Sequence, residues 1–156
     1  MKRWLTTLLR TLGLFSFLAA APLQAGDAPS GNPPEVLEKA GALLGEMKEL
    51  GQEYLDSRHT RGMTPEKREA QAGRVARKLA GYRDGLAELG GKLDPASDFA
   101  AKLGKFLGRW PDEAAFRGEL LSESGGDKVQ AEVVSLWLQV PDKRAKWKTP
   151  FPFFRP

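Results

Sequence analysis

Apolar residues recur along the chain in the rhythm of amphipathic helices. Between residues 35 and 56, Val36, Ala40, Leu43, Met47, Leu50 and Tyr54 follow one another at steps of four, three, four, three and four. That spacing keeps them on one face of a 3.6-residue turn. Leu37 and Leu44 widen the stripe, while Glu46, Glu49, Glu53 and Asp56 fall on another face. Pro34 stands just ahead of the run, where a missing N–H costs a helix nothing.

A polar connection, residues 57–63, leads to Thr64-Pro65-Glu66. Thr as N-cap, Pro at the first helical position and an acid in the first turn together mark a helix start. Ala72, Val75, Leu79, Tyr82, Leu86 and Leu89 then repeat at three and four up to Gly90-Gly91. Two glycines at that point predict a helix end through a left-handed residue. Two helices of similar length on a short connection favour an antiparallel hairpin. Their charges agree: residues 35–56 hold six acids and two bases, residues 65–89 six bases and four acids.

Three shorter elements follow. Asp94-Pro95 opens a helix over about 95–108 with Phe99, Leu103, Phe106 and Leu107 inward. Pro111-Asp112-Glu113 opens a fourth, with Phe116, Leu120 and Leu121 inward. Asp127 with Gln130 three residues on resembles a capping box for a fifth. The run Val133–Val140 has strand-like composition. A lone strand would find no pairing partner in this chain, so the helical stripe Val129, Val133, Leu136, Trp137, Val140 is preferred. The fold class expected is therefore all-α: a small helical bundle built on a long antiparallel helical hairpin plus two or three shorter helices. GxxxG spacing occurs at Gly41–Gly45, Gly81–Gly85 and Gly104–Gly108. It predicts either close helix packing or a loose bundle that a partner tightens.

The two ends change the picture. Residues 1–25 read as a signal peptide: Lys2, Arg3 and Arg10 are followed by the uncharged apolar run Thr11–Ala21 and by Ala25 at a cleavage position. Residues 26–34 are a flexible leader, residues 35–140 the helical domain and residues 141–156 a Pro-rich tail. Cleavage near Ala25 sends the protein to the periplasm or outside the cell. It also removes three of the net +4 charges, leaving 21 bases against 20 acids. Without an excess of cations, nucleic-acid binding loses its electrostatic basis.

The tail concentrates what charge there is. Lys143, Arg144, Lys146, Lys148 and Arg155 oppose only Asp142, and Trp147, Phe151, Phe153 and Phe154 interleave with them. Residues 26–140 carry 16 bases and 19 acids. Aromatic rings beside cations suit an anionic lipid surface. They equally suit a docking peptide with aromatic anchors. A third reading folds the aromatics back over the bundle. Lys143, Arg144, Lys146, Trp147, Lys148, Phe151, Phe153 and Phe154 are the candidate partner- or membrane-binding residues.

Catalytic chemistry has little to stand on in this sequence. There is no Cys, so no thiolate nucleophile, disulfide or thiolate metal cluster is available. The single His59 lies in a polar connection, where a solvated loop residue is the simplest reading. The acids of the first helix form one stripe rather than two facing groups, as glycoside cleavage needs. Arg58, Arg61, Lys67 and Arg68 cluster at the connection and suit an anionic headgroup or sugar phosphate, or simply a solvated tip. No catalytic, metal or cofactor residue is assigned. The expected function is that of an exported, non-enzymatic protein binding a partner macromolecule as an accessory, adaptor, chaperone-like or inhibitor protein. Another envelope protein is the expected partner. A peripheral membrane or cell-wall protein binding anionic lipid or polysaccharide is the alternative. A small carbohydrate hydrolase, pairing a first-helix Glu with an acid between Glu113 and Glu123, comes third.

Overall fold

The computed structural model describes residues 31–141. Among them the chain forms five helices and no strand: α1 Pro34–Ser57, α2 Pro65–Gly90, α3 Asp98–Arg109, α4 Glu113–Leu121 and α5 Asp127–Trp137. The all-α expectation holds, and the strand-like run is helical as far as Trp137. The stretches 1–30 and 142–156 lie outside the described residues, and with them the signal, most of the leader and nearly all of the tail.

Local chemistry explains most helix starts. The Thr64 hydroxyl accepts from the Lys67 N–H at 3.3 Å, and the Asp112 carboxylate from that of Ala115 at 2.9 Å. These caps satisfy amides that have no partner inside the helix. Three expectations need correction. The third helix begins at Asp98, not at residue 95, because Asp94 uses its carboxylate on the Ala96 N–H, 2.9 Å away. That tight turn delays the helix until Ser97, whose hydroxyl accepts from the Ala100 N–H at 3.1 Å. The fifth helix has no capping box: Gly126 occupies the N-cap, and Gln130 instead donates to the Lys48 carbonyl at 3.0 Å. The end of α2 has no left-handed glycine either. Gly91 sits at φ −67°, and the chain turns through Lys92 N–H to Leu89 O and Leu93 N–H to Gly90 O, which buries Leu93.

The core runs through all five helices. Leu44, Met47 and Tyr54 of α1 meet Leu79 and Leu86 of α2, Leu103 of α3, Phe116 of α4 and Val133 of α5, all of them almost fully buried. The α2 helix packs chiefly on α4 and α1, and α1 also packs on α5. Phe116 anchors the aromatic part, stacked on Trp110 with centroids 5.8 Å apart and tilted against Phe106 at 6.4 Å. Leu43, Leu50, Tyr82, Leu107 and Trp137 were expected inside and are half-buried. Leu121 departs further: it is 41% exposed, because α4 turns Phe116, Glu119 and Leu120 inward instead.

Glycine decides how closely α5 and the residues just after it approach α1. A methyl group on Gly41 would meet Val140 Cγ1 at 3.0 Å, and one on Gly51 would collide with the Gln130 carboxamide. Gly45 faces the Trp137 indole between them. The first GxxxG pair thus faces Val140, just past the end of α5, and Trp137 within it. In the second, only Gly85 meets a neighbour, Leu43, and in the third neither Gly104 nor Gly108 has anything within 4 Å.

Candidate functional site

None of the eight candidate binding residues, Lys143, Arg144, Lys146, Trp147, Lys148, Phe151, Phe153 and Phe154, lies among the described residues. The structure does describe the point from which that segment leaves. Val140 is 3% exposed, against Gly41, and Pro141 follows it on the surface. Beside it, Trp137 is half-buried with the Lys48 ammonium 5.0 Å from its ring centroid. That distance is within cation–π range.

The basic cluster at the α1–α2 connection is split in two. Arg58 turns inward. Its Nη1 donates to the Ser124 and Gly125 carbonyls at 3.1 and 3.0 Å, and Nη2 lies 3.6 Å from the Asp127 carboxylate. The guanidinium therefore latches the α4–α5 turn to the end of α1. Gly125 and Gly126 shape that turn at φ 55° and 95°, a region costly for any residue with a Cβ. The Tyr54 hydroxyl adds a second tie, donating to the Leu120 carbonyl at 2.8 Å. Burial pushes the Tyr54 phenol above its usual pKa, partly offset by Arg68 and Arg58.

Arg61 and Lys67 face outward and line a groove of about 600 Å³ with Thr60, Gly62, Met63, Ala70, Gln71 and Arg74. Arg74 was missed by sequence reasoning. Its signal was available, because it lies seven residues after Lys67 and so on the same helix face. Arg68 is exposed beside this groove rather than in it. His59 is exposed too, with Nε2 accepting from Arg58 Nε at 3.4 Å.

The acids of α1 face solvent, with Glu49, Glu53 and Asp56 lining a second groove of about 570 Å³ together with Lys48, Gln52, Ser57 and Thr60. Glu46 lies one turn before it, also exposed. Glu119 is the buried carboxylate of the 113–123 segment and accepts from the Ser124 hydroxyl at 2.5 Å. Among the described residues no three His, Cys, Asp or Glu side chains are grouped to hold a metal ion. A third groove, about 260 Å³, runs between α3 and α5. Phe106 and Leu136 form its floor, Lys102, Lys105 and Arg109 one wall and Glu132, Ser135 and Gln139 the other. Glu132 is occupied by Arg109 and by the Trp110 indole N–H, 3.1 Å away.

The fold and surface define the chain as an all-α helical protein with open, charged grooves. No helix among the described residues is long and apolar enough to cross a membrane. No protein-family model matches the chain, and no curated protein or solved structure matches it either.

Proposed function

We propose that this is an exported helical protein that acts by binding rather than by catalysis, with another envelope protein as its partner. The binding element is the aromatic-basic segment 141–156, carried on a bundle whose scaffold is the antiparallel α1–α2 hairpin. Gln71 donating to Ser57 near one end of that pair and Leu43 beside Gly85 towards the other support the antiparallel arrangement.

One observation carries the reading. The apolar core from Val36 to Val140 closes on itself, and Leu121 is the exposed large hydrophobic side chain among the described residues. A bundle with so little bare apolar surface has no need of four further aromatic rings to cover it. Trp147, Phe151, Phe153 and Phe154 are then available as anchors for a separate surface, with Lys143, Arg144, Lys146 and Lys148 setting its preferred charge. An acidic partner surface fits that charge.

The test is capture from an envelope extract by residues 26–156 and by the same chain ending at Val140. A defined protein retained by the longer form and lost by the shorter supports the proposal, provided that replacing Trp147 and Phe151 by Ala also loses it. Equal capture by both forms removes the tail from the function. The membrane or cell-wall reading rests on the same cations beside aromatics. It predicts binding to anionic vesicles or polysaccharide that falls as salt rises.

A further inference from the structure

We propose that the groove at the α1–α2 tip is a binding site for a phosphate-type anion carrying two or more negative groups. The argument starts from which cations are already engaged. Among the described residues Arg58, Arg77, Arg83, Arg109 and Arg117 each lie within ion-pair distance of a carboxylate. Arg61, Arg68 and Arg74 have no such partner. Two of them, Arg61 and Arg74, line the groove together with Lys67, and no carboxylate lines it. Arg61, Lys67 and Arg74 thus converge on one concavity that has no carboxylate in its lining.

The nearby acids are turned to other tasks. Glu66 interacts with its own backbone N–H and with the Thr64 hydroxyl, which holds its carboxyl below the usual carboxylate range. Glu69 pairs with Arg117 at 2.6 Å. Asp56 accepts from Gln52 at 2.9 Å and lines the neighbouring acidic groove. The first-turn amides of α2 are taken as well, since the Lys67 N–H is capped by Thr64. Binding therefore falls to the guanidinium and ammonium groups, with the Thr60 hydroxyl and Gln71 amide at the wall. Guanidinium groups match the paired oxygens of a phosphate.

The size of the site selects among anions. Lys67 and Arg74 are seven residues apart, so their backbone positions are separated by roughly 10 Å along the helix. A single small anion spans little of that separation. A diphosphate or a phosphodiester with a second charged group spans more of it. The acidic groove, which shares Thr60 with this one, disfavours long polyanions that would run across both.

The probes are inorganic pyrophosphate in solution and vesicles of phosphatidylcholine with cardiolipin, whose headgroup carries two phosphodiesters, each offered to the full chain. Saturable amide shifts at residues 60–74 with pyrophosphate assign the site to a soluble diphosphate. Binding confined to the anionic vesicles and abolished by the tip variants assigns it to a lipid headgroup. In either case R61Q/R74Q weakens binding by about tenfold or more. R77Q, one turn further along and paired with Glu113, leaves it within about twofold. All three arginines are exposed, and unchanged thermal melting of the variants verifies that the fold survives. Absence of saturable binding to both probes overturns the proposal. So does binding that R61Q/R74Q leaves intact, which would place it on the tail cations instead.

Discussion

Single atoms set the spacing between helices. Gly51 admits the Gln130 side chain, whose amide donates to Lys48 O while its Oε1 is buried without a hydrogen-bond partner. Gly51→Ala should cost about 1–3 kcal/mol by overpacking, read from urea denaturation. Adding Gln130→Ala should recover part of that loss, since neighbouring sites do not add. Gly104→Ala or Gly118→Ala should instead stabilise by up to about 1 kcal/mol, because nothing lies within 4 Å of either and Ala favours helix. Tyr54 supplies the pH-dependent case. Its phenol has an ordinary value of 10.0 and is raised on folding. The unfolded chain then loses this proton first, so the contribution to stability is complete below pH 10 and lost as pH rises past it. Tyr54→Phe should flatten that alkaline decline. It should also cost about 1–2 kcal/mol at neutral pH, since the buried Leu120 carbonyl loses its donor. Equilibrium unfolding at pH 7 and above pH 10 measures both.

Short elements depend on long-range ties. The α4 helix has only nine residues, too few to persist in isolation. It is held by Phe116 in the core and by Glu113 and Arg117, which lie beside Arg77 and Glu69 of α2. The turn after it is held by Arg58. Arg58→Gln should therefore loosen Ser122–Gly126 ahead of the rest of the molecule. Hydrogen exchange should show faster exchange at the Gly126 N–H, which bonds to the Glu119 carbonyl at 3.1 Å, with α2 little changed. Uniform acceleration through all five helices would instead mean that the latch supports the whole fold.

For the whole molecule, the core formed by the described residues runs from Val36 to Val140. A chain ending at Pro141 should accordingly unfold within about 0.5 kcal/mol of the full chain, the usual range for a change that leaves the core intact. Loss of cooperative melting on truncation would show that the tail aromatics belong to the core after all. Charge is divided in the same way as the apolar residues. Arg77 and Arg117 pair with carboxylates, Arg61, Lys67 and Arg74 line a groove without one, and α1 presents its acids outward.

The amino-acid sequence determined where helices form. Apolar steps of three and four placed all five of them, and Thr64 and Asp112 marked two starts correctly. Those signals are local, since a cap or a stripe acts within a few residues of itself. It also fixed the contrast between an acidic first helix, a basic second one and an aromatic-basic tail. Tertiary structure decided what depends on a neighbour. Gly126 replaced the expected capping box because Gln130 is drawn across to Lys48. Leu121 stays outside because only one side of α4 meets α2. The basic cluster read along the chain as Arg58, Arg61, Lys67 and Arg68 became two things in space. Arg58 is drawn inward by carbonyls some 66 residues away, while Arg61 and Lys67 join Arg74 around an open groove. A linear reading registers the charge of each residue, but which carboxylate or carbonyl comes within reach of it is set only when the helices pack.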